Sequence, residues 1–240
     1  MKLLIISPCY APDDSKAQDM LSTAHRVGLA PVLYGVGRNP HPHGKDSQGT
    51  EFVKLLTEHT EAEVVMGVDA FDVAFLGGEA EILTKFKAFK NPFVMSAERE
   101  GVRGLDRTQV AIHEQCIAAG GFFAQPNIGC WIGERAYALE CFNEAQRLYE
   151  GTLDDPEHPY SYDNHFQWLA MMKAWGGGPA FDIDWHCVLF QSMNQAHTAV
   201  EPDGKRVYNK ATGTMPPVIH YNGDPTRGAF REMVRHLMED

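Results

Sequence analysis

Residues 63–75 read EVVMGVDAFDVAF, and they contain the strongest indication of a fold in the chain. The first six positions, 63–68, are almost entirely apolar and lack the alternation of a half-exposed strand. A short continuous apolar run is typical of a strand at the centre of a parallel sheet, where both faces are covered. Asp69 and Asp72 follow at once, so the pattern predicts a buried strand that delivers two carboxylates to the carboxyl end of the sheet.

Predicted strands and helices alternate regularly through the first half of the chain and less regularly through the second. The predicted strands are 3–7, 31–36, 63–68, 93–96, 127–133, 181–184, 188–191 and 217–220. The predicted helices are 19–27, 50–59, 79–89, 134–149, 162–175 and 230–238. Glycines in the 127–133 strand indicate that another group approaches its backbone. This order predicts an α/β fold with a central, mainly parallel sheet flanked by helices, in a single domain over residues 1–240.

Composition excludes several classes of protein. The 240 residues include 21 Lys and Arg against 32 Asp and Glu, and the net charge of −11 argues against a general nucleic-acid-binding protein. The chain has no run of 18 apolar residues, so we expect no membrane association. The five cysteines form no CxxC pair, and the apolar stretch near the N-terminus is too short for a signal peptide. We therefore expect a reduced, cytoplasmic protein, and its oligomeric state stays open.

The two aspartates and a distant histidine are candidate metal ligands. Asp69 and Asp72 can face one site if the chain turns after its strand, and hard oxygen donors suit Mg²⁺ or Mn²⁺ completed by substrate phosphates. A second apolar strand, 217–220, ends at His220, and an imidazole ligand favours Mn²⁺ over Mg²⁺. The alternatives are a strand-end cap and a turn residue for the aspartates, and a structural role for the histidine.

Seven sequence blocks, in matching order between about residues 50 and 228, resemble one known family. It is the glycosyltransferase domain of procollagen lysyl hydroxylases, with its collagen galactosyltransferase-like and giant-virus relatives. Residues 63–75 are similar to the family's strand and VDxYD motif, and residues 217–223 (PVIHYNG) to its PIVVHGNG block. The other blocks are 79–86, similar to the helix that follows, 93–98 (family FSAE), 127–133 (LNSGGFIG), 163–166 (DDQLF) and 184–194 (LDHKxxIFQxLN).

This resemblance implies a Rossmann-like GT-A fold and a nucleotide-sugar donor, most simply a UDP-sugar, used with Mn²⁺ or alternatively Mg²⁺. It implies that the two aspartates and His220 bind the ion. Asn222 and Gly223 correspond to residues beside the donor phosphates. Arg227 stands near the family's lysine, offset by one position, where it would add positive charge.

The resemblance also points to residues around the transferred sugar. Asp163 would act as a general base toward the acceptor hydroxyl, worth roughly 10²–10⁴-fold in rate, or as a stabiliser or nucleophile at the anomeric carbon. Its local alternative is a helix N-cap. Glu98 is either a hydrogen-bond partner of a sugar hydroxyl or a surface carboxylate, and Asn127 is either a contact to the donor sugar or a turn-forming residue.

The chain departs from the family pattern around the sugar and the acceptor. Residues 99–103 replace a tryptophan-bearing segment, and Asn164 and Tyr221 replace glutamine and glycine. Three functions therefore stay open. The first is a metal-dependent glycosyltransferase acting on a hydroxyl of a protein, a glycan or a modified nucleobase. The second is a catalytically impaired nucleotide-sugar-binding or scaffold protein of the same fold, and the third is a metal-dependent phosphohydrolase.

Overall fold

The computed structural model of the chain describes residues 1–9, 15–35, 46–99, 107–150, 164–196, 198–223 and 226–238. The strands in these ranges are β1 (Leu3–Pro8), β2 (Val32–Tyr34), β3 (Val64–Val68), β4 (Val73–Phe75), β5 (Phe93–Glu98), β6 (Gln125–Glu134), β7 (Asp182–Ile183), β8 (Phe190–Ser192), β9 (Val200–Asp203), β10 (Arg206–Asn209) and β11 (Val218–His220). The helices are α1 (Ser15–Arg26), α2 (Asp46–Glu58), α3 (Glu79–Phe86), α4 (Arg107–Ala118), α5 (Arg135–Glu150), α6 (Asn164–Trp175) and α7 (Thr226–Met238). None of these helices is long and apolar enough to cross a lipid bilayer.

The central sheet has six strands in the order β2-β1-β3-β6-β5-β7. Strand β1 pairs in parallel with β2 and β3, and β5 pairs in parallel with β7. Strand β6 alone runs the other way and is antiparallel to β3 and β5. Five of the six strands therefore share one direction, which confirms the predicted mainly parallel sheet. The predicted central strand, β3, is buried along its whole length.

Alternate side chains of β3 enter two hydrophobic cores on opposite faces of the sheet. Val64, Met66 and Val68 pack in a cluster that includes residues of α1 and α3. Val65 packs in a second cluster, with residues of α2, α4, α5 and α6. Because both faces carry helices, β3 can be apolar at successive positions, as its sequence predicts.

An aromatic group fills the centre of the second core. The Trp131 ring of β6 lies 5.1 Å from the ring of Phe52, 5.6 Å from that of Phe93 and 5.0 Å from that of Phe142, measured between centroids. The indole covers Gly67 of the neighbouring strand, where a Cβ atom would lie 2.2 Å from the indole Nε1. Gly67 is therefore the position at which β3 makes room for Trp131.

A smaller sheet, in the order β4-β11-β8, begins where β3 ends. The chain leaves β3 at Val68 and enters β4 at Val73. In the small sheet β4 is antiparallel to β11, with Val73 opposite His220, and β11 is parallel to β8. Residues 69–72 thus connect the two sheets, and the pairing of β4 with β11 brings the end of β11 to this connection.

Four features of the fold are not predicted from the sequence. Strand β4 has only three residues. Helix α4 buries only Ile112 and Cys116, so the apolar stripe of this helix is thin. Strands β9 and β10 form an antiparallel hairpin in which β9 is exposed except at Val200. Helix α2 begins at Asp46 rather than at the predicted position 50. The sequence also predicts a polar, proline-containing loop at 154–159, and these positions lie outside the described residues.

The segment between β7 and β8 is organised by one buried carboxylate, Asp184. Its Oδ1 accepts a hydrogen bond from the amide of Val188 at 2.8 Å. Its Oδ2 accepts from the amides of Leu189 at 2.7 Å and Phe190 at 2.9 Å. The side chain therefore satisfies three backbone donors that no regular secondary structure satisfies at this point.

Replacing Asp184 with alanine should destabilise the fold strongly. Three N–H groups lose their acceptor, and each unsatisfied buried donor costs about 1–3 kcal/mol, so we expect a loss of about 3–5 kcal/mol in the free energy of unfolding. Urea denaturation measures this change. Asp203→Ala, at the exposed end of β9, is the matched control and should change stability by about 0.5 kcal/mol or less. Equal losses in the two variants would contradict the role given to Asp184.

Candidate functional site

Three potential metal ligands meet where the two sheets join. Asp69 follows β3, Asp72 precedes β4 and His220 ends β11. The amide of Asp69 donates to the carbonyl of Gly129 at 2.8 Å, which ties the end of β3 to β6. The amide of Tyr221 donates to the carbonyl of Asp72 at 2.8 Å, which ties the end of β11 to the same connection. Backbone hydrogen bonds therefore hold both segments in place around the three side chains.

These three side chains direct one ligand atom each toward a common point. The three atoms lie within 4.8 Å of one another. His220 Nε2 is 3.4 Å from Asp72 Oδ1 and 3.5 Å from Asp69 Oδ2. Only 5% of the Asp72 side chain and 3% of the His220 side chain are exposed, against 37% for Asp69. The group is thus anchored in the protein and open to solvent on the side of Asp69.

The imidazole of His220 is unusual for a buried histidine. Among the described residues, neither of its ring nitrogens has a hydrogen-bond partner, although both are buried. Buried polar atoms in native proteins are normally paired, and an imidazole nitrogen that faces two carboxylates without such a bond is a natural metal ligand. Two carboxylate oxygens and one imidazole nitrogen suit a divalent ion such as Mn²⁺. The residues present therefore fit a cation.

The two facing carboxylates dominate the local electrostatics. Burial lowers the pKa of His220, but the facing carboxylates of Asp72 and Asp69 outweigh burial and raise the pKa to about 10. The neighbouring Cys130 thiol is fully buried, and burial together with the two aspartates raises its pKa well above the usual range. Cys130 is therefore a neutral thiol, and the two carboxylates supply the negative charge that a cation would neutralise.

Gly129 of β6 leaves room for this group. Strand β6 is irregular here, since Met95 pairs with Trp131 whereas Ser96 pairs with Asn127, which leaves residues 128–130 without partners on β5. A Cβ atom on Gly129 would lie 2.2 Å from His220 Cε1 and 2.8 Å from an Asp69 carboxylate oxygen. The glycine predicted to permit a close approach thus lies against the candidate metal-ligating group, which consists of Asp69, Asp72 and His220. Bulges of this kind often occur beside functional sites.

Glu98, at the end of β5, collects three side-chain amides next to the metal-ligating group. Its Oε2 accepts hydrogen bonds from the Nδ2 atoms of Asn222 at 2.8 Å, Asn127 at 3.2 Å and Asn194 at 3.3 Å. Only 3% of Glu98 is exposed, so the alternative of a surface carboxylate is wrong. Burial raises the pKa of Glu98, and the amides and the nearby His220 oppose that rise only in part.

The oxygen atoms of two of these amides hold the neighbouring backbone. Asn127 Oδ1 accepts from the amide of Gly129 at 2.8 Å. Asn222 Oδ1 accepts from Ser192 Oγ at 2.6 Å and from the amide of Met193 at 3.2 Å. Each of these amides therefore has its nitrogen toward Glu98 and its oxygen toward the backbone. The network joins the ends of β5, β8 and β11 to the bulge in β6.

Three further residues predicted for the site are Gly223, Arg227 and Asp163. Gly223 has a φ of +86°, the left-handed region that favours glycine, and a Cβ there would lie 2.8 Å from Asn194 Oδ1. Arg227 belongs to the first turn of α7, but its side chain lies outside what the structure describes. Asp163 also lies outside the described residues. Their roles stay predictions.

Asn194 is the residue of this network that the sequence analysis missed. It stands in the 184–194 block, two positions after the end of β8, at the same sheet edge as the other polar residues. Its place just beyond a short buried strand was the available signal, but its partners are remote in sequence. Only the fold brings Asn194 to Glu98.

Comparisons with solved structures identify the fold. A glycosyltransferase involved in the glycosylation of the major capsid of PBCV-1 superposes with a TM-score of 0.60 and 11% identity, over 98% of this chain and 100% of that one. Mouse xyloside xylosyltransferase 1 superposes with a TM-score of 0.56 and 10% identity, over 94% and 98% of the two chains. Identities this low establish the fold alone, and the predicted GT-A fold is confirmed.

Comparisons of sequence agree with the resemblance seen in the motif blocks. Bovine procollagen-lysine,2-oxoglutarate 5-dioxygenase 1 is 26% identical over 185 residues, 72% of this chain. The mouse dioxygenase 2 is 26% identical over 245 residues, 94% of this chain. The chain spans 23% of the length of the first and 30% of the second. No family model matches the chain.

A methyl group at Gly129 should damage the metal-ligating group more than the fold. In Gly129→Ala the new Cβ displaces the imidazole of His220, so we expect Mn²⁺ affinity to fall by at least about tenfold, as for other changes around metal ligands. Calorimetric titration with Mn²⁺ measures this, and circular dichroism checks folding. The matched control is Gly228→Ala in α7, where a Cβ meets nothing within 4 Å. Unchanged Mn²⁺ affinity in folded Gly129→Ala would contradict the geometry.

Mn²⁺ should also stabilise the protein, because the native state offers a preformed set of ligands. At 100 times its Kd the ion should raise the free energy of unfolding by about 2.7 kcal/mol, and EDTA should reverse the gain. Denaturation with and without Mn²⁺ tests this. The double variant Asp69→Asn, Asp72→Asn should gain nothing from Mn²⁺. A gain equal to that of the wild type would show that the ion binds elsewhere.

Proposed function

We propose that the chain is a metal-dependent glycosyltransferase that moves a sugar from a UDP-sugar to an acceptor hydroxyl. One observation carries this proposal. Asp69, Asp72 and His220 converge at the carboxyl edge of the sheet in a GT-A fold, where ligands of open α/β sheets bind. A phosphohydrolase would need the same three ligands, but nothing in the fold comparisons favours it.

On the nucleotide side, the three ligands would hold Mn²⁺, with Mg²⁺ as the alternative. Such an ion supplies positive charge to the diphosphate that departs from the sugar. The chain itself provides the rest of this subsite. The Asn222-Gly223 turn follows His220 directly, and without a side chain Gly223 lets a phosphate approach the backbone. Arg227, in the first turn of α7, is proposed to add a fixed positive charge.

On the sugar side, Glu98 and Asn127 are proposed to contact the hydroxyl groups of the transferred sugar. Both belong to the amide network beside the metal-ligating group, and buried polar groups in fixed orientation discriminate well between sugars. Asp163 is proposed to take the proton of the acceptor hydroxyl, by its match to the family motif. This assignment rests on the sequence.

The comparisons support the proposal without specifying the substrate. Both similar structures are glycosyltransferases by their names, and one of them is a xylosyltransferase. Transfer of a hexose and transfer of a pentose are both compatible with this likeness. The acceptor is proposed to be a hydroxyl of a protein, a glycan or a modified nucleobase. All five cysteines are buried and none of them forms a disulfide bond, as suits the reducing, cytoplasmic compartment that we propose.

Nucleotide binding should depend on the metal-ligating group. We expect UDP to bind in the presence of Mn²⁺ and to lose about 100-fold in affinity, roughly 2.7 kcal/mol, when EDTA removes the ion or when Asp69 or Asp72 is replaced by asparagine. Titration calorimetry with UDP, GDP and CMP measures this and selects the base. Asp203→Asn, far along the exposed hairpin, should bind UDP as the wild type does.

Turnover distinguishes an enzyme from a binding protein of the same fold. Incubation with UDP-glucose, UDP-galactose and UDP-xylose in the presence of Mn²⁺ should release UDP from at least one donor, even with water as the acceptor. Equal UDP binding with and without Mn²⁺ would contradict the proposal. UDP binding without release of UDP from any donor, on a broad panel of acceptors, would favour the catalytically impaired alternative.

A further inference from the structure

The turn after β8, residues 193–196, contacts the candidate site through one side chain, that of Asn194. Asn194 Nδ2 donates to Glu98 Oε2 at 3.3 Å, and its backbone amide donates to Asn222 Oδ1 at 3.3 Å. Its Oδ1 lies beneath Gly223, and a Cβ atom on that glycine would be 2.8 Å from this oxygen. One asparagine therefore contacts three residues that the proposed function assigns to the donor.

The backbone of this turn is held in a strained conformation. Gln195 has a φ of +55°, which costs a residue with a side chain about 1–2 kcal/mol. Such strain persists only where the surroundings enforce it, and it concentrates at functional sites. Here the amide of Ala196 donates to the carbonyl of Met193 at 3.0 Å, and Arg99 Nη1 donates to the carbonyl of Gln195 at 3.3 Å. Arg99 follows Glu98 in sequence. The turn is therefore attached to this segment by two hydrogen bonds, one from Arg99 to the carbonyl of Gln195 and one from Asn194 to Glu98.

The hydrogen bonds of Glu98 are distributed unequally between its two oxygens. All three amide donors converge on Oε2. Among the described residues no hydrogen bond reaches Oε1, which leaves that oxygen for a ligand. The three donors thereby set the orientation of the carboxylate plane. The side-chain oxygens of Asn127 and Asn222 also accept hydrogen bonds, from the amide of Gly129 and from Ser192 Oγ. Asn194 Nδ2 is the donor that reaches Glu98 from the side of β8.

We propose that Asn194 is a positioning residue that orients Glu98 toward the transferred sugar, and so determines recognition of the sugar rather than of the nucleotide. This inference rests on the proposed function. Asn194 contacts Glu98 through its side-chain nitrogen and also lies against the Asn222-Gly223 turn, so its replacement should lower the affinity for the UDP-sugar more than the affinity for UDP.

Two substitutions separate positioning from packing. Asn194→Asp keeps the shape beneath Gly223 but replaces the donor with a carboxylate facing the carboxylate of Glu98. Asn194→Ala removes the donor and the packing together. If Asn194 only packs, the alanine variant is impaired more than the aspartate variant. If it positions Glu98, the aspartate variant is impaired at least as much as the alanine variant.

The measurement is the ratio of the Kd for UDP to the Kd for the UDP-sugar that the wild type uses, both with Mn²⁺. We expect Asn194→Asp to lower the advantage of the UDP-sugar over UDP by about tenfold, which corresponds to roughly 1.4 kcal/mol, and to change the Kd for UDP by less than that. Thermal unfolding accompanies each titration. If the aspartate variant fails to fold, Asn194→Ser removes Nδ2 without adding charge and should lower the ratio by about threefold, the effect of one modest hydrogen bond.

Asn91 provides the matched control. Its Nδ2 donates to Asp182 Oδ1 at 2.9 Å, the same amide-to-carboxylate contact, just before the start of β5 and so at the opposite end of that strand from Glu98. Asn91→Asp should destabilise the fold in the same way and leave the ratio unchanged.

The outcomes separate the two proposals. Absence of UDP binding by the wild type would overturn the proposed function and this inference with it. A wild type that binds UDP and a UDP-sugar, with an unchanged ratio in Asn194→Asp, would overturn the inference alone. A ratio lowered in Asn194→Ala but not in Asn194→Asp would assign Asn194 to packing and would also overturn it.

Discussion

Two carboxylates and an imidazole are enclosed together at the junction of two sheets, and the arrangement around them follows from that constraint. Asp72 and His220 are almost fully buried, and a buried carboxylate is tolerated only when it is paired or coordinates an ion. His220 faces both carboxylates at ion-pair distance, yet its nitrogens form no hydrogen bond with the described residues. A divalent cation would satisfy all three groups at once. This enclosure depends on three features of the backbone. They are the connection at 69–72, the pairing of β4 with β11 and the glycine at position 129.

A second polar layer extends this constraint from these three side chains to the network around Glu98. Asn127 links the two layers, because its oxygen holds the amide of Gly129 while its nitrogen reaches Glu98. Asn222, two residues after His220, links them again. Convergent hydrogen bonds of this kind fix the orientation of the side chains, and such a network would hold a sugar in one orientation relative to a diphosphate. The metal-ligating group and the Glu98 network are therefore parts of one site.

The sequence predicts those parts of the fold and site that depend on local patterns. The apolar runs at 63–68 and 217–220, each ending in polar residues, correctly indicate strands that bring Asp69, Asp72 and His220 to one edge. The partners of Glu98 could not be predicted, because three amides distant in sequence converge on it only in the folded chain. Strand β4 escaped prediction because three residues after a turn carry no periodic signal. Asp163 and Arg227 rest on motif matches, since their side chains lie outside the described residues.

The central claim is that one ion, held by Asp69, Asp72 and His220, binds the diphosphate of the donor. Anomalous scattering at the manganese edge, from crystals grown with Mn²⁺ and UDP, tests it most directly. The account predicts a single strong peak in contact with Asp69, Asp72 and His220, and with the UDP diphosphate on its open side next to Asp69. A UDP molecule bound without an ion at these residues, or a manganese peak elsewhere in the molecule, would contradict it.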